Sequence, residues 1–245
     1  MKSARKTPIR AAVQKRLKRS LKYLIGIDEV GRGPLAGPVT VCACMIPASL
    51  DVDRVFSKIA SDKKIKRLTD SKGLKEKDRD AWNGLIRDRA KSHADIFFSI
   101  KSATAKEIDG KGIAVCIRAL IIKCLAELQK KHGINPDECL VLLDGGLKAP
   151  EVFINQETHI KGDVKFPVIS FASILAKVHR DDFMKKISNA ANDAKRSAGT
   201  AYANYGFGVH KGYGTLAHRN EIKKYGLSDM HRRSFCRKIN ALTTS

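Results

Sequence analysis

Acidic residues are scarce in this 245-residue chain, and its first 27 positions hold none. Asp and Glu total 25 against 47 Lys and Arg, a formal net charge of +22. That imbalance favours a polyanionic partner, nucleic acid first, over a basic surface kept for solubility. Long apolar runs are also missing. None approaches the roughly 18 residues of a membrane-spanning helix, so no membrane partner is expected. Six cysteines are present, yet none forms a Cys-x-x-Cys pair and no His lies at zinc-finger spacing from them. Cys42 and Cys44 alternate on an expected strand, and Cys116 and Cys124 fall on the apolar stripe of an expected helix. Buried, reduced thiols and a cytoplasmic location are the expectation. There is no internal repeat and no low-complexity segment.

The acid-free beginning carries Lys2, Arg5, Lys6, Arg10, Lys15, Arg16, Lys18, Arg19 and Lys22. It has no apolar core of the secretory kind. Residues 1–20 read as a flexible basic arm that touches phosphates. An organelle-targeting peptide and a solvated tail share this composition.

Where acids do occur, they are placed tellingly. Asp28 and Glu29 stand side by side at the end of the apolar run Tyr23-Leu24-Ile25-Gly26-Ile27, and Gly31-Arg32-Gly33-Pro34 follows at once. Adjacent carboxylates at a buried strand are costly unless positive charge meets them. Glycines just beyond let a backbone approach a ligand closely.

The periodicity predicts strands over 21–29 and 38–46, joined hairpin-fashion, and a third over 94–100. Residues 51–72 read as a long loop, or a loop with a short helix, and 74–90 as a helix with Trp82, Leu85 and Ile86 inward. The best helix spans 113–130, where Ile113, Cys116, Ile117, Leu120, Ile121, Cys124 and Leu128 recur at helical spacing. Leu140–Leu143 reads as a buried strand, 159–162 as another, 169–189 as a long helix and 216–225 as a last one. Antiparallel strands, a crossover helix and then parallel strands amount to an α/β fold with a mixed sheet.

Asp28, Glu29, Asp144 and Asp163 each sit at or just past an apolar or extended segment. Strand ends on one edge of a sheet converge, and ligands of α/β sheets gather there. Four such carboxylates need cations between them, and oxygen-only ligation suits two Mg²⁺ or Mn²⁺ ions. Singly, each acid has a simpler explanation: a solvated strand end, an Asp-Gly turn at Asp144, a helix cap at Asp163.

The run Gly26-Ile27-Asp28-Glu29-Val30-Gly31-Arg32-Gly33-Pro34-Leu35-Ala36-Gly37-Pro38-Val39 resembles the opening signature of type 2 ribonucleases H, the bacterial ribonuclease HII group. Thr69-Asp70-Ser71-Lys72, Leu143-Asp144-Gly145 and Lys161-Gly162-Asp163 with Ala172–Val178 and Arg180-Asp181 follow in the family's order. So do Tyr205-Gly206-Phe207, His210–Thr215, His218 and His231-Arg232-Arg233-Ser234-Phe235, over about residues 23–236. The departures are Gly146 where Asn is common, Phe171 where a small residue is common, and Gly73 for Lys.

The resemblance implies a ribonuclease H-like fold: a mixed five-stranded sheet flanked by helices (21–198), with a helical C-terminal portion (199–245). It implies endonucleolytic cleavage of RNA in RNA–DNA hybrids and at ribonucleotides embedded in duplex DNA, leaving 3′-hydroxyl and 5′-phosphate ends, by a monomer. Asp28, Glu29, Asp144 and Asp163 would be the catalytic, metal-binding acids. Gly31, Arg32 and Gly33 would read the ribose 2′-hydroxyl at the RNA–DNA junction. Tyr213 would pack on the sugar beyond it, and Ser71 and Lys72 would hold phosphates.

The residues themselves make these roles sensible. The 2′-hydroxyl is what separates RNA from DNA, and glycines permit the approach it requires. Arg32 suits either a phosphate or a salt bridge to a nearby acid. Tyr213, between two glycines, suits nucleotide stacking or a place at the edge of the core. Ser173 and Lys177 share a helix face, with Lys177 aimed at phosphate or paired with Asp181. His210, His218 and His231 read as structural or phosphate-contacting, not catalytic. Three rivals are weaker. Ribonuclease HIII carries an added N-terminal domain that about 22 leading residues cannot form. A non-catalytic binder would have lost an acid. A nucleotide phosphate loop would need a different glycine spacing.

Overall fold

Two residue faces alternate along the central strands, and both are largely apolar. The reason is visible in the computed structural model, which describes residues 21–62, 65, 68, 73–193, 202 and 204–240. Strands β1 (Tyr23–Val30), β2 (Val39–Pro47), β3 (Phe97–Ala103), β4 (Cys139–Asp144) and β5 (Gln156–His159) form one sheet in the order β3-β2-β1-β4-β5. The β1–β2 and β2–β3 pairs are antiparallel, and β1–β4 and β4–β5 are parallel. Helices cover both sides, so the central strands β1, β2 and β4 read as nearly continuous apolar runs, while the edge strands β3 and β5 carry polar residues.

The helices are α1 (Val52–Asp62), α2 (Glu76–Ser92), α3 (Ala105–Lys111), α4 (Ile113–His132), α5 (Gly162–Lys165), α6 (Pro167–Asp193), α7 (Phe207–His210), α8 (Leu216–Tyr225) and α9 (Arg237–Asn240). On one face Ile25, Ile27, Val41, Ala43, Met45, Val141 and Leu143 pack against Cys116, Ile117, Leu120, Ile121 and Cys124 of α4. On the other, Cys42, Cys44, Ile46, Leu140 and Leu142 meet α1, α2 and α6. The α6 helix lies so close to β1 that a Cβ on Gly26 would stand 2.4 Å from the Val168 backbone. A third apolar cluster joins Ala36 and Met184 to Tyr205, Phe207, Ile222 and Cys236, and this fastens the C-terminal portion to the end of α6.

The mixed five-stranded sheet matches the sequence reading, as do the helices over 113–132 and 216–225. All six cysteines are free and buried. Three details differ. Within 51–72 a full 11-residue helix forms, because Val52, Val55, Phe56, Ile59 and Ala60 do recur at helical spacing. The last strand is Gln156–His159, not 159–162. Lys161 takes a left-handed conformation (φ 55°) that ends extended structure, so Asp163 stands in the first turn of α5 and not at a strand end. Phe171 disturbs nothing: its ring packs 5.0 Å from Phe56 and 6.4 Å from Trp82.

Candidate active site

The register of β1 against β4 assembles the acids. Ile27 pairs with Leu143 in the parallel ladder, so the next step places Asp28 alongside Asp144. Both follow the parity of Leu140 and Leu142, which face α6. Glu29 projects to the opposite face at the strand's last turn. Asp28 is buried, 2 % exposed, and its Oδ1 accepts the Glu29 N–H at 2.8 Å. Burial is the largest cause that pushes its carboxyl up to about 7; the Glu29 and Asp144 charges add to this, and a hydrogen bond from Ser173 of α6 opposes it. Burial also raises Glu29, against the pull of Arg32. Asp144 Oδ1 accepts the Gly162 N–H at 2.7 Å, and Asp163, buried at 2 %, is the next residue. The Asp163 carbonyl accepts the Ser170 hydroxyl, one turn before Ser173 on the same helix. Thus α6 touches both the Asp28 carboxyl, through Ser173, and the Asp163 backbone, through Ser170.

Among the described residues, no three His, Cys, Asp or Glu side chains close on one metal-sized point. The donor chemistry nevertheless fits a hard cation. Every candidate ligand is a carboxylate, and Asp28 Oδ2 is buried with no hydrogen-bond partner among the described residues. Such an orphaned oxygen, beside two like charges, is relieved by a divalent ion.

Next to the acids, the 31–38 turn is held from behind by two buried arginines. Arg232 donates from Nη2 to Gly31 O (2.7 Å), from Nη1 to Arg32 O (3.0 Å) and from Nε to Gly37 O (3.0 Å). Arg180 donates from Nε to Pro38 O (2.9 Å) and from Nη2 to Ala36 O (3.1 Å). Gly31 takes φ +88°, and a Cβ there would lie 2.3 Å from Arg180 Nε. Consuming the carbonyls inward leaves Arg32 and Gly33 exposed at the rim. Arg32 Nη1 lies 3.0 Å from Glu29 Oε1, the salt-bridge alternative. Lys177 likewise pairs with Asp181 at 2.9 Å.

Tyr213 is 41 % exposed, its ring 5.7 Å from both Lys177 Nζ and Arg180 Cζ. Its loop is tied to the turn, since Leu35 N donates to Gly212 O at 2.9 Å and Arg232 N to Leu35 O at 2.8 Å. Arg32, Gly33 and Tyr213 are therefore exposed on linked loops, with Lys177 beside the Tyr213 ring, whereas Gly31 and Ser173 are buried. Ser71 and Lys72 lie outside the described residues, as does the 1–20 arm. His218 and His231 are buried, which supports the structural reading of these rings.

Sequence reasoning assigned no role to Arg180 and Arg232, although both stand inside the motifs it quoted. It also passed over Arg118 and Lys148. With Arg32 these line a cavity of about 180 Å³ between α4 and the turn after β4, with no acid in its lining. The signal available was an arginine on an otherwise apolar helix segment.

The fold is ribonuclease H-like. A ribonuclease H2 from Pyrococcus horikoshii OT3 superposes with a TM-score of 0.57, at 21 % identity over 90 % of this chain and 98 % of that one. The Mn²⁺ complex of Bst-RNase HIII gives 0.63, at 17 % identity over 99 % and 76 %. In sequence, the Ribonuclease HII of Aliarcobacter butzleri is 38 % identical over 222 residues, 91 % of this chain and 94 % of its own. That of Clostridium beijerinckii is 38 % identical over 221 residues, 90 % and 70 %. The Ribonuclease HII family model matches residues 25–238, and the chain belongs to that family of metal-dependent nucleases.

Proposed function

We propose that this protein is a monomeric endonuclease that hydrolyses the RNA strand of RNA–DNA hybrids and nicks duplex DNA on the 5′ side of embedded ribonucleotides. The products carry 3′-hydroxyl and 5′-phosphate ends. Asp28, Glu29, Asp144 and Asp163 would hold two Mg²⁺ or Mn²⁺ ions. Such ions, when bound, lower the pKa of a water and offset charge on the leaving oxygen.

The chain's own residues do the rest. The carboxylates of β1 and β4, braced by Ser173 and the Gly162 N–H, fix where the scissile phosphate must sit. The exposed Arg32-Gly33 backbone, with its neighbouring carbonyls already consumed by Arg232, offers short-range polar contacts to a 2′-hydroxyl. Tyr213 stacks on the sugar of the following deoxynucleotide. Ser173 and Lys177 border the phosphate path, and Arg118 and Lys148 extend it past Arg32.

The observation that carries the reading is the buried, unpartnered Oδ2 of Asp28 beside Asp144, a few residues from a glycine turn built to meet a backbone. A labelled duplex with one ribonucleotide tests it. A nick 5′ of the ribonucleotide, given by Mg²⁺ or Mn²⁺ and absent with chelator or with all-DNA duplex, is the expected result. Tight binding without a nick in either metal would sink it.

A further inference from the structure

Three hydrogen bonds run in series beneath Tyr213, and their two ends dictate each other's protons. At one end the backbone N–H of Ser228 donates to His231 Nδ1 at 3.0 Å, and the Ser228 hydroxyl lies 2.8 Å from the same atom. A backbone N–H can only donate, so Nδ1 of His231 is bare and its proton sits on Nε2. At the other end His218 Nδ1 lies 2.9 Å from the carbonyl of Tyr213. A carbonyl can only accept, so His218 carries its proton on Nδ1 and leaves Nε2 bare. The two Nε2 atoms face each other at 3.0 Å. Each end thus independently fixes a tautomer, and the two are complementary: His231 Nε2–H donates to His218 Nε2.

A third imidazole works on the same loop. His210 accepts the Gly212 N–H on Nδ1 at 3.1 Å and donates from Nε2 to the Tyr205 carbonyl. Its ring stacks on His218 with centroids 4.2 Å apart. The two-residue segment Gly212-Tyr213 is therefore held at both ends by imidazoles: His210 accepts the Gly212 N–H and His218 donates to the Tyr213 carbonyl.

We propose that His218 and His231 are positioning residues for ribonucleotide selectivity: their neutral, tautomer-locked pair holds the Tyr213 backbone, and through it the ring, at the junction sugar. The proposal rests on the reading of Tyr213 given above. The titratable groups around the pair are His210, Tyr205 and Tyr213, with Asp229 beside His231 and Glu221 beyond His210. Burial keeps both rings neutral at physiological pH, each held down to about 4. A proton added to either bare nitrogen would set donor against donor and break the series.

The test uses the full chain. ¹⁵N-histidine NMR at neutral pH is expected to show one ring protonated on Nδ1 alone and one on Nε2 alone, assigned by the His218→Asn and His231→Gln variants. Two rings of the same tautomer, or a cationic ring, would overturn the proposal without any activity measurement. The second readout is the ratio of kcat/KM on a single embedded ribonucleotide to that on a long hybrid. His231→Ala and His218→Ala should lower this ratio about 10-fold, equivalent to ~1.4 kcal/mol of transition-state discrimination. His218→Asn, whose amide nitrogen stands near the Nδ1 position and still donates to Tyr213, should restore most of it. In a Tyr213→Ala background the histidine changes should have no further effect. An unchanged ratio in His218→Ala refutes the positioning role. If instead Tyr213→Ala leaves the ratio at the wild-type value, the assignment of Tyr213 to the junction sugar fails.

Discussion

Arg232 Nη2 donates to the carbonyl of Gly31 at 2.7 Å across 201 residues of sequence. The guanidinium is fully buried, and burial lowers its pKa to about 10. Three carbonyls of one turn repay that burial. Arg232→Lys keeps the charge but loses the fork. It should cost about 2–3 kcal/mol of stability by urea unfolding, and it should reduce cleavage at single ribonucleotides beyond what the loss of fold explains. A variant with wild-type stability would show that the turn holds itself.

Gly31 needs its φ of +88°, and any Cβ would collide with Arg180. Gly31→Ala should destabilise by more than the ~1 kcal/mol of a strained φ alone and should displace Arg32 from the rim. Thermal melting and a substrate titration read both effects. Wild-type melting would show that Arg180 yields freely.

Ionised Asp28 carries a stability cost, which a bound cation would offset. Its carboxyl rises from 3.8 unfolded to about 7 folded, so the folded state binds the extra proton between those values. The favourable contribution is complete below 3.8 and is lost as pH rises through 7, a difference on the order of a few kcal/mol. Asp28→Asn should therefore abolish cleavage yet raise the melting temperature at pH 8 in chelator. Added Mg²⁺ should raise the wild-type melting temperature more than the variant's. Equal metal shifts in the two proteins would remove Asp28 from the ligand set.

For His218 and His231 the sign is opposite. Both fall from 6.5 to about 4 on folding, so the unfolded chain binds more protons between these values. Stability is full above 6.5 and declines toward 4 as pH falls. Replacing both rings should flatten that part of the stability curve, as measured by denaturant unfolding across it. A curve of the same steepness would place the titration elsewhere.

Arg118→Gln with Lys148→Gln should weaken hybrid binding and lower the dependence of log Kd on log salt by about one to two contacts' worth. Turnover at saturating hybrid should hold, because neither side chain is among the candidate metal ligands. An unchanged salt slope would leave the cavity beside Arg32 without phosphate.

Much of this site was legible because short-range chemistry reports itself. Asp28-Glu29 at the end of an apolar run, and Asp144-Gly145 after Leu140–Leu143, mark strand ends whatever the strand order. The stripe from Ile113 to Leu128 could only be a helix with one buried face. Asp163 was found as a residue but misplaced in structure. Its helix begins at a left-handed Lys161, a conformation side-chain patterning does not announce. The helix over Val52–Asp62 was masked by the basic stretch that follows it.

The sequence by itself determined the acids, the glycine turn, the alternating strands and the excess positive charge, because each rests on residue type and local spacing. Only the tertiary structure decided that Asp28 lies beside Asp144, that Arg180 and Arg232 hold the turn from the far end of the chain, and that two histidines face each other under Tyr213. Register, long-range hydrogen bonds and tautomers are properties of pairs. A pair separated by 13 to 201 residues leaves no periodicity in the chain to be read.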